Sequence, residues 1–176
     1  MPTITWKAGL RLSLAVCVSL PALSRTQSEV PLHSGARADS VVVLKKDRKL
    51  ILYSQGRELK TYTISLGSEP FGPKAQQGDH KTPEGRYVLD RRNPNSKFYK
   101  SIHISYPNQE QVAAARKRGV SPGGDVFVHG LPNGFGWLGS AQRRYDWTDG
   151  CIALTNAEMD EIWRAVPDGT PIEIKP

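Results

Sequence analysis

The sequence predicts a mainly β domain, a sandwich or barrel with two peripheral helices. Three observations lead there. Short apolar or alternating runs recur along the chain, bounded by Gly, Pro, Asn or charged turns. Only two stretches combine a capping residue with helical spacing. No strand–helix–strand repeat occurs, which argues against a parallel doubly wound sheet. At 176 residues, 38% hydrophobic and 23% charged, the chain has ordinary globular composition and can bury a core.

Residues 1–24 read as a secretory signal peptide. Lys7 and Arg11 form a positive n-region, Leu12 to Leu23 is largely apolar, and Ala22-Leu23-Ser24 offers small residues at the two positions a signal peptidase reads. The expected location is therefore the periplasm. Residues 25–39 have no periodicity and read as a linker, so the folded domain is expected over 40–176. Ser40–Leu44 is β-branched and apolar. After the charged turn 45–49, Leu50–Tyr53 is apolar again, and Leu59–Leu66 alternates beyond Gln55-Gly56, so three strands form a meander. The stretch from Gly67 to Gly85 is a long loop of the kind that carries function. Its end, Thr82-Pro83-Glu84-Gly85, reads as a pinned turn.

Tyr87–Asp90 is expected as a strand, 91–100 as polar loop, and Ser101–Ser105 as a strand with Ile102 and Ile104 on one face and His103 on the other. Asn108 caps a helix from Gln109 to Arg118 that stops at Gly119. Val126–Val128 is a short strand, and the glycine-rich 130–140 reads as loop. Thr155 and Glu158 make a capping box for the second helix. Its stripe of Met159, Ile162, Trp163 and Val166 is core spacing, and Pro167 ends it. Thr170–Ile174 is the last strand.

The net charge is +7, of which +5 belongs to the 22 basic and 17 acidic residues beyond position 24. That balance suits an anionic surface such as a cell wall. The charge forms no dense run, which argues against nucleic acid as a partner. No Gly-x-Gly-x-x-Gly or P-loop is present, and His80, His103, His129 and Cys151 lack metal-ligand spacing, so neither a cofactor nor a metal is expected.

Of two cysteines, Cys17 lies in the leader, so a mature chain keeps one thiol, Cys151. His129 precedes it by 22 positions, across the glycine-rich loop. A thiol at neutral pH is only a few per cent thiolate, and an imidazole that takes its proton makes it a nucleophile for acyl transfer. A backbone carbonyl near Gly130 is placed to orient that imidazole. Asp149-Gly150-Cys151 suggests the other half of the site, with the Gly150 and Cys151 amides facing a developing oxyanion.

His129-Gly130, the glycine-rich loop and Thr148-Asp149-Gly150-Cys151 resemble the active-site signature of the L,D-transpeptidase catalytic domain. The Trp-Thr-Asp-Gly-Cys form is similar to a proteobacterial branch of that family, and Thr-Pro-x-Gly at 82–85 is similar to its upstream turn. The resemblance implies a cysteine acyl-enzyme acting on peptidoglycan stem peptides, with Cys151 the nucleophile and His129 the base. His80, His103, Tyr106, Trp137 and Thr148 are the candidates for lining the substrate site. Asp149 stands where many members carry histidine, and Ala153 where many carry arginine, so unusual donor recognition is expected. Three outcomes stay open at this point: transfer to an acceptor amine, giving a crosslink or attaching a protein; hydrolysis through the same acyl-enzyme, cleaving crosslinks or releasing a wall-linked lipoprotein; or a non-catalytic wall-binding module.

Overall fold

The structure is a computed structural model describing residues 30–176 together with 1 and 3; the signal-peptide reading of 1–24 lies outside the described residues. Eight strands form one sheet: β1 (Ser40–Leu44), β2 (Lys49–Ser54), β3 (Arg57–Thr63), β4 (Gly85–Ser96), β5 (Tyr99–Ile104), β6 (Phe127–His129), β7 (Ile152–Ala153) and β8 (Thr170–Lys175). Their order across the sheet is β3-β2-β1-β8-β4-β5-β6-β7. The mainly β architecture is thus observed as one curled sheet. β1 with β8 and β6 with β7 pair in parallel, and the other neighbours are antiparallel.

The β1–β2–β3 meander follows its sequence alternation. The β2–β3 turn is Gln55-Gly56, both at positive φ (51° and 73°), the two-residue turn whose twist matches the flanking strands. The reading of 91–100 as loop is corrected, because β4 continues to Ser96 and turns directly into β5. Arg92 shows why the polar run misled. Its guanidinium donates to the carbonyls of Trp163 and Val166, lies 4.8 Å over the Trp163 ring, and bonds Asp168. A helix terminus 70 residues away satisfies a charge that looked like loop.

α1 (Gln109–Lys117) has Asn108 as its cap, boxed with Gln111, and ends before Gly119 at φ 70°. α2 (Asn156–Ala165) carries the expected Thr155–Glu158 box. Met159, Ile162 and Val166 enter the core with Val43, Leu52, Ile102 and Ile172, and Trp163 packs on its edge. A third helical segment was not expected: Gly136–Arg144 winds as 3-10 turns on either side of Gly139. Residues 30–39, expected as linker, lie along the domain. The Ala38 amide donates to Ala165 O at 2.8 Å, and Val30 O accepts from Lys60 Nζ at 2.8 Å.

Candidate active site

Register places the two candidate reactive groups together. Ser101 pairs with His129, Ile102 with Val128, and Val128 with Ile152. Ile102, Val128 and Ile152 are fully buried on the core face. Alternation then puts Ser101, His103, Phe127, His129 and Cys151 on the opposite face. His129 and Cys151 are diagonal neighbours there, and both line a cavity of about 640 Å³.

His129 is 3% exposed, and its ring is packed by Phe98 (centroids 4.7 Å apart) and Trp147 (5.8 Å). Its Nδ1 lies 2.6 Å from Gly130 O. A carbonyl only accepts, so Nδ1 carries the proton and Nε2 keeps its lone pair. The Gly130 carbonyl therefore does orient the ring. Position 130 must be glycine, since a Cβ would meet Asn156 Oδ1 at 2.8 Å and Tyr99 Cβ at 3.0 Å. Asn156 is the first residue of α2 and also accepts from the Leu131 amide at 2.9 Å, so the helix start fixes the loop after His129.

Burial pushes His129 down to about 4 against the pull of the Gly130 carbonyl. Burial pushes the Cys151 thiol up to about 11, opposed first by the backbone of Phe127 and then by Lys74, with Asp149 and Asp125 adding to the rise. The resting pair is a neutral thiol, its sulfur 3.8 Å from Asp125 O, beside a neutral imidazole. A neutral pair of this kind suits general-base transfer to the imidazole rather than a standing thiolate–imidazolium ion pair.

The turn before Cys151 is built by Thr148, which is 4% exposed. Its hydroxyl accepts from the Gly150 amide at 3.1 Å and donates to Cys151 O at 2.8 Å. Thr148 thus shapes the turn while also lining the cavity shared by His129 and Cys151, and the Gly150 amide is bonded to Thr148. The Cys151 amide donates to nothing among the described residues. Gly150 has φ 124°, and a Cβ there would lie 2.6 Å from Lys81 O. Only glycine holds that turn.

Other candidates separate. Tyr106 is 3% exposed, sits in the core and donates to Pro122 O at 2.9 Å, so it does not line the site. Trp137 is 78% exposed on the 3-10 segment and lines neither cavity that touches Cys151. His103 shares the face of Cys151 but is bound to Asp90 at 2.7 Å and packs on Phe127, one step from the cavity. Ala153 is fully buried and bonded to Ser65 through both its N–H and its C=O.

His80 does reach the site. Its Nδ1 is 2.8 Å from Asp149 Oδ1, and it lines a second cavity of about 680 Å³ with Lys74, Gly150 and Cys151. The two cavities share Asp125, Asp149 and Cys151. Sequence reasoning missed Phe98 and Trp147, the walls around His129, and Lys74 and Asp125. Trp147 stands beside the Thr-Asp-Gly-Cys run, which was a usable signal.

Comparison with known proteins bears on the family and the fold. The family model of the YkuD-type L,D-transpeptidase catalytic domain matches residues 38–174. YafK of Escherichia coli K12 is 35% identical over 133 residues, 72% of this chain and 46% of YafK. The chain thus spans about half the length of that relative. The helical cell shape determining protein Pgp2 of Campylobacter jejuni superposes with a TM-score of 0.58 at 26% identity, covering 80% of this chain and 48% of Pgp2. An L,D-transpeptidase from Mycobacterium smegmatis shares the fold at 17% identity, with a TM-score of 0.53 over 79% of this chain and 59% of its own.

Proposed function

This chain belongs to the L,D-transpeptidase catalytic domain family, and on that premise we propose that it is a cell-envelope cysteine acyltransferase acting on peptidoglycan stem peptides. Cys151 attacks the carbonyl of the donor's diamino-acid L-centre. His129 Nε2 takes the thiol proton and delivers it to the departing amine, so the C–S bond forms as the C–N bond breaks. The Cys151 amide meets the developing oxyanion. One observation carries the reading: a buried imidazole, its tautomer set by Gly130 O at 2.6 Å, shares a strand face and a cavity with the cysteine.

Two cavities meeting at one sulfur favour transfer over hydrolysis, because a donor and an acceptor can each be seated beside the thioester. The aromatic residues Phe135 and Trp137 do not wall either cavity; Phe98 and Trp147 do. The reading is tested by a time course on isolated muropeptides with a diamino-acid acceptor. New dimers at constant total peptide are expected. Loss of existing crosslinks, with no dimer at millimolar acceptor, would make the enzyme a hydrolase.

A further inference from the structure

We propose that His80 and Asp149 form a second acid–base pair, on the opposite side of Cys151 from His129, which deprotonates the acceptor that resolves the thioester. The inference rests on the acyl-enzyme reading and assigns the half of the reaction that His129 leaves open. His129 is enclosed by Phe98, Trp147 and the sheet, and it serves the first cavity. His80 lines only the second cavity, where Cys151 is also exposed.

Asp149 Oδ1, 2.8 Å from His80 Nδ1, accepts the Nδ1 proton and leaves Nε2 as the basic atom. A carboxylate that orients an imidazole is the third member of a nucleophile–base–orienter set. Here the two histidines differ in orienter: a backbone carbonyl holds His129 and a carboxylate holds His80. Asp125 and Asp149 beside the sulfur favour approach of a cationic amine, and the Lys74 ammonium is already bound to Asp79 at 2.7 Å.

The backbone is built to hold His80 there. Its φ is 53°, in the left-handed region that side chains other than glycine adopt rarely. Its carbonyl accepts from the Glu69 amide at 3.1 Å, and a Cβ at Gly67 would lie 2.1 Å from the same carbonyl oxygen. Gly67 and Gly150 give up side chains so that this loop packs directly against the turn of Cys151.

In the step, the acceptor ammonium gives one proton to His80 Nε2, and the free amine attacks the thioester carbonyl. The C–N bond forms and the C–S bond breaks. The second proton leaves the nitrogen and reaches the departing sulfur through His129, and His80 returns its proton to water.

The test separates the half reactions by intact-protein mass spectrometry. His80→Gln should form the acyl-enzyme within twofold of the wild-type rate but discharge it to a diamino-acid acceptor roughly 100-fold more slowly. Hydroxylamine, already unprotonated at neutral pH, should discharge wild type and variant equally, which a merely structural defect would not produce. Asp149→Asn should slow discharge less, by roughly tenfold, and stands in if His80→Gln does not fold. Unchanged discharge in both variants, or an equal loss of acylation and discharge, would overturn the proposal while leaving the acyl-enzyme reading intact. Absence of any thioester in wild type would remove both.

Discussion

Two long connections flank Cys151, and they are built in opposite ways. The segment 67–84 is held by buried charge. Lys45 Nζ reaches Gly72 O, Thr82 O and Glu84 Oε1 at 2.7–2.9 Å, and Asp79 gathers the amides of Ala75, Gln76 and Lys81 together with Lys74 Nζ. Burial alone would raise the Asp79 carboxyl, but Lys74 and those amides outweigh it and hold it at about 2. The segment 131–145 is held mainly by neutral hydrogen bonds, from Asn133 to Ser96 O and the Tyr99 amide and from Ser65 and Trp147 to Gln142, with one ion pair from Arg143 to Glu158. It winds into 3-10 turns and leaves Phe135, Trp137 and Tyr145 exposed. The contrast teaches where precision is needed. The first connection presents His80 and Lys74 to the sulfur and supports Gly150 from behind; the second is outer wall.

Lys45→Met should do the most damage to the charged segment. Removing the ammonium leaves Glu84 and two carbonyls without their donor in a buried setting, a cost of about 3–5 kcal/mol. A thermal melt should fall by roughly 10 °C. A melt unchanged within 2–3 °C would show that the segment is held by something else. Next is Gly150→Ala, which sets a Cβ against Lys81 O where the segment meets the catalytic turn. It should cost about 2–3 kcal/mol and cut acylation more than tenfold, read by melting and by adduct formation.

A third test sharpens the contrast between the charged segment and the apolar seat of His129. Because burial lowers His129 to about 4, the native state refuses a proton that the unfolded chain accepts near 6.5. Stability is full above pH 6.5 and falls as pH drops toward 4, by on the order of 3 kcal/mol. Denaturant midpoints of wild type and His129→Gln should therefore converge in acid relative to neutral pH; parallel curves would contradict the buried neutral ring. The smallest effect belongs to the outer wall. Trp137→Ala should stay within about 0.5 kcal/mol of wild type in stability, with acylation unchanged. A tenfold loss of acylation would place that segment in the site after all.

What the sequence made legible was local chemistry. Gly150 beside Cys151 and Gly130 beside His129 mark backbone that no side chain can share, and the Asn108 cap and the Thr155–Glu158 box are local signals as well. What stayed hidden depends on partners far along the chain. The second half of β4 looked like loop because the carbonyls that satisfy Arg92 come from the end of α2. Trp137 and Trp147 stand in similar settings. Only the fold shows that Trp147 turns inward, where its indole N–H finds Gln142 Oε1 at 2.8 Å. The commitment of the Gly150 amide to Thr148 was equally unreadable, since it depends on the direction of one hydroxyl.

The central claim is a thioester on Cys151 formed with His129 as base. It is tested most directly by incubating the purified protein with a disaccharide–tetrapeptide and measuring intact mass, followed by peptide mapping. A mass gain equal to the donor acyl group is expected, located on Cys151. That gain should vanish in Cys151→Ala and fall at least 100-fold in rate in His129→Ala. A folded wild-type protein that gains no mass, or crosslinking activity that survives Cys151→Ala, would contradict it.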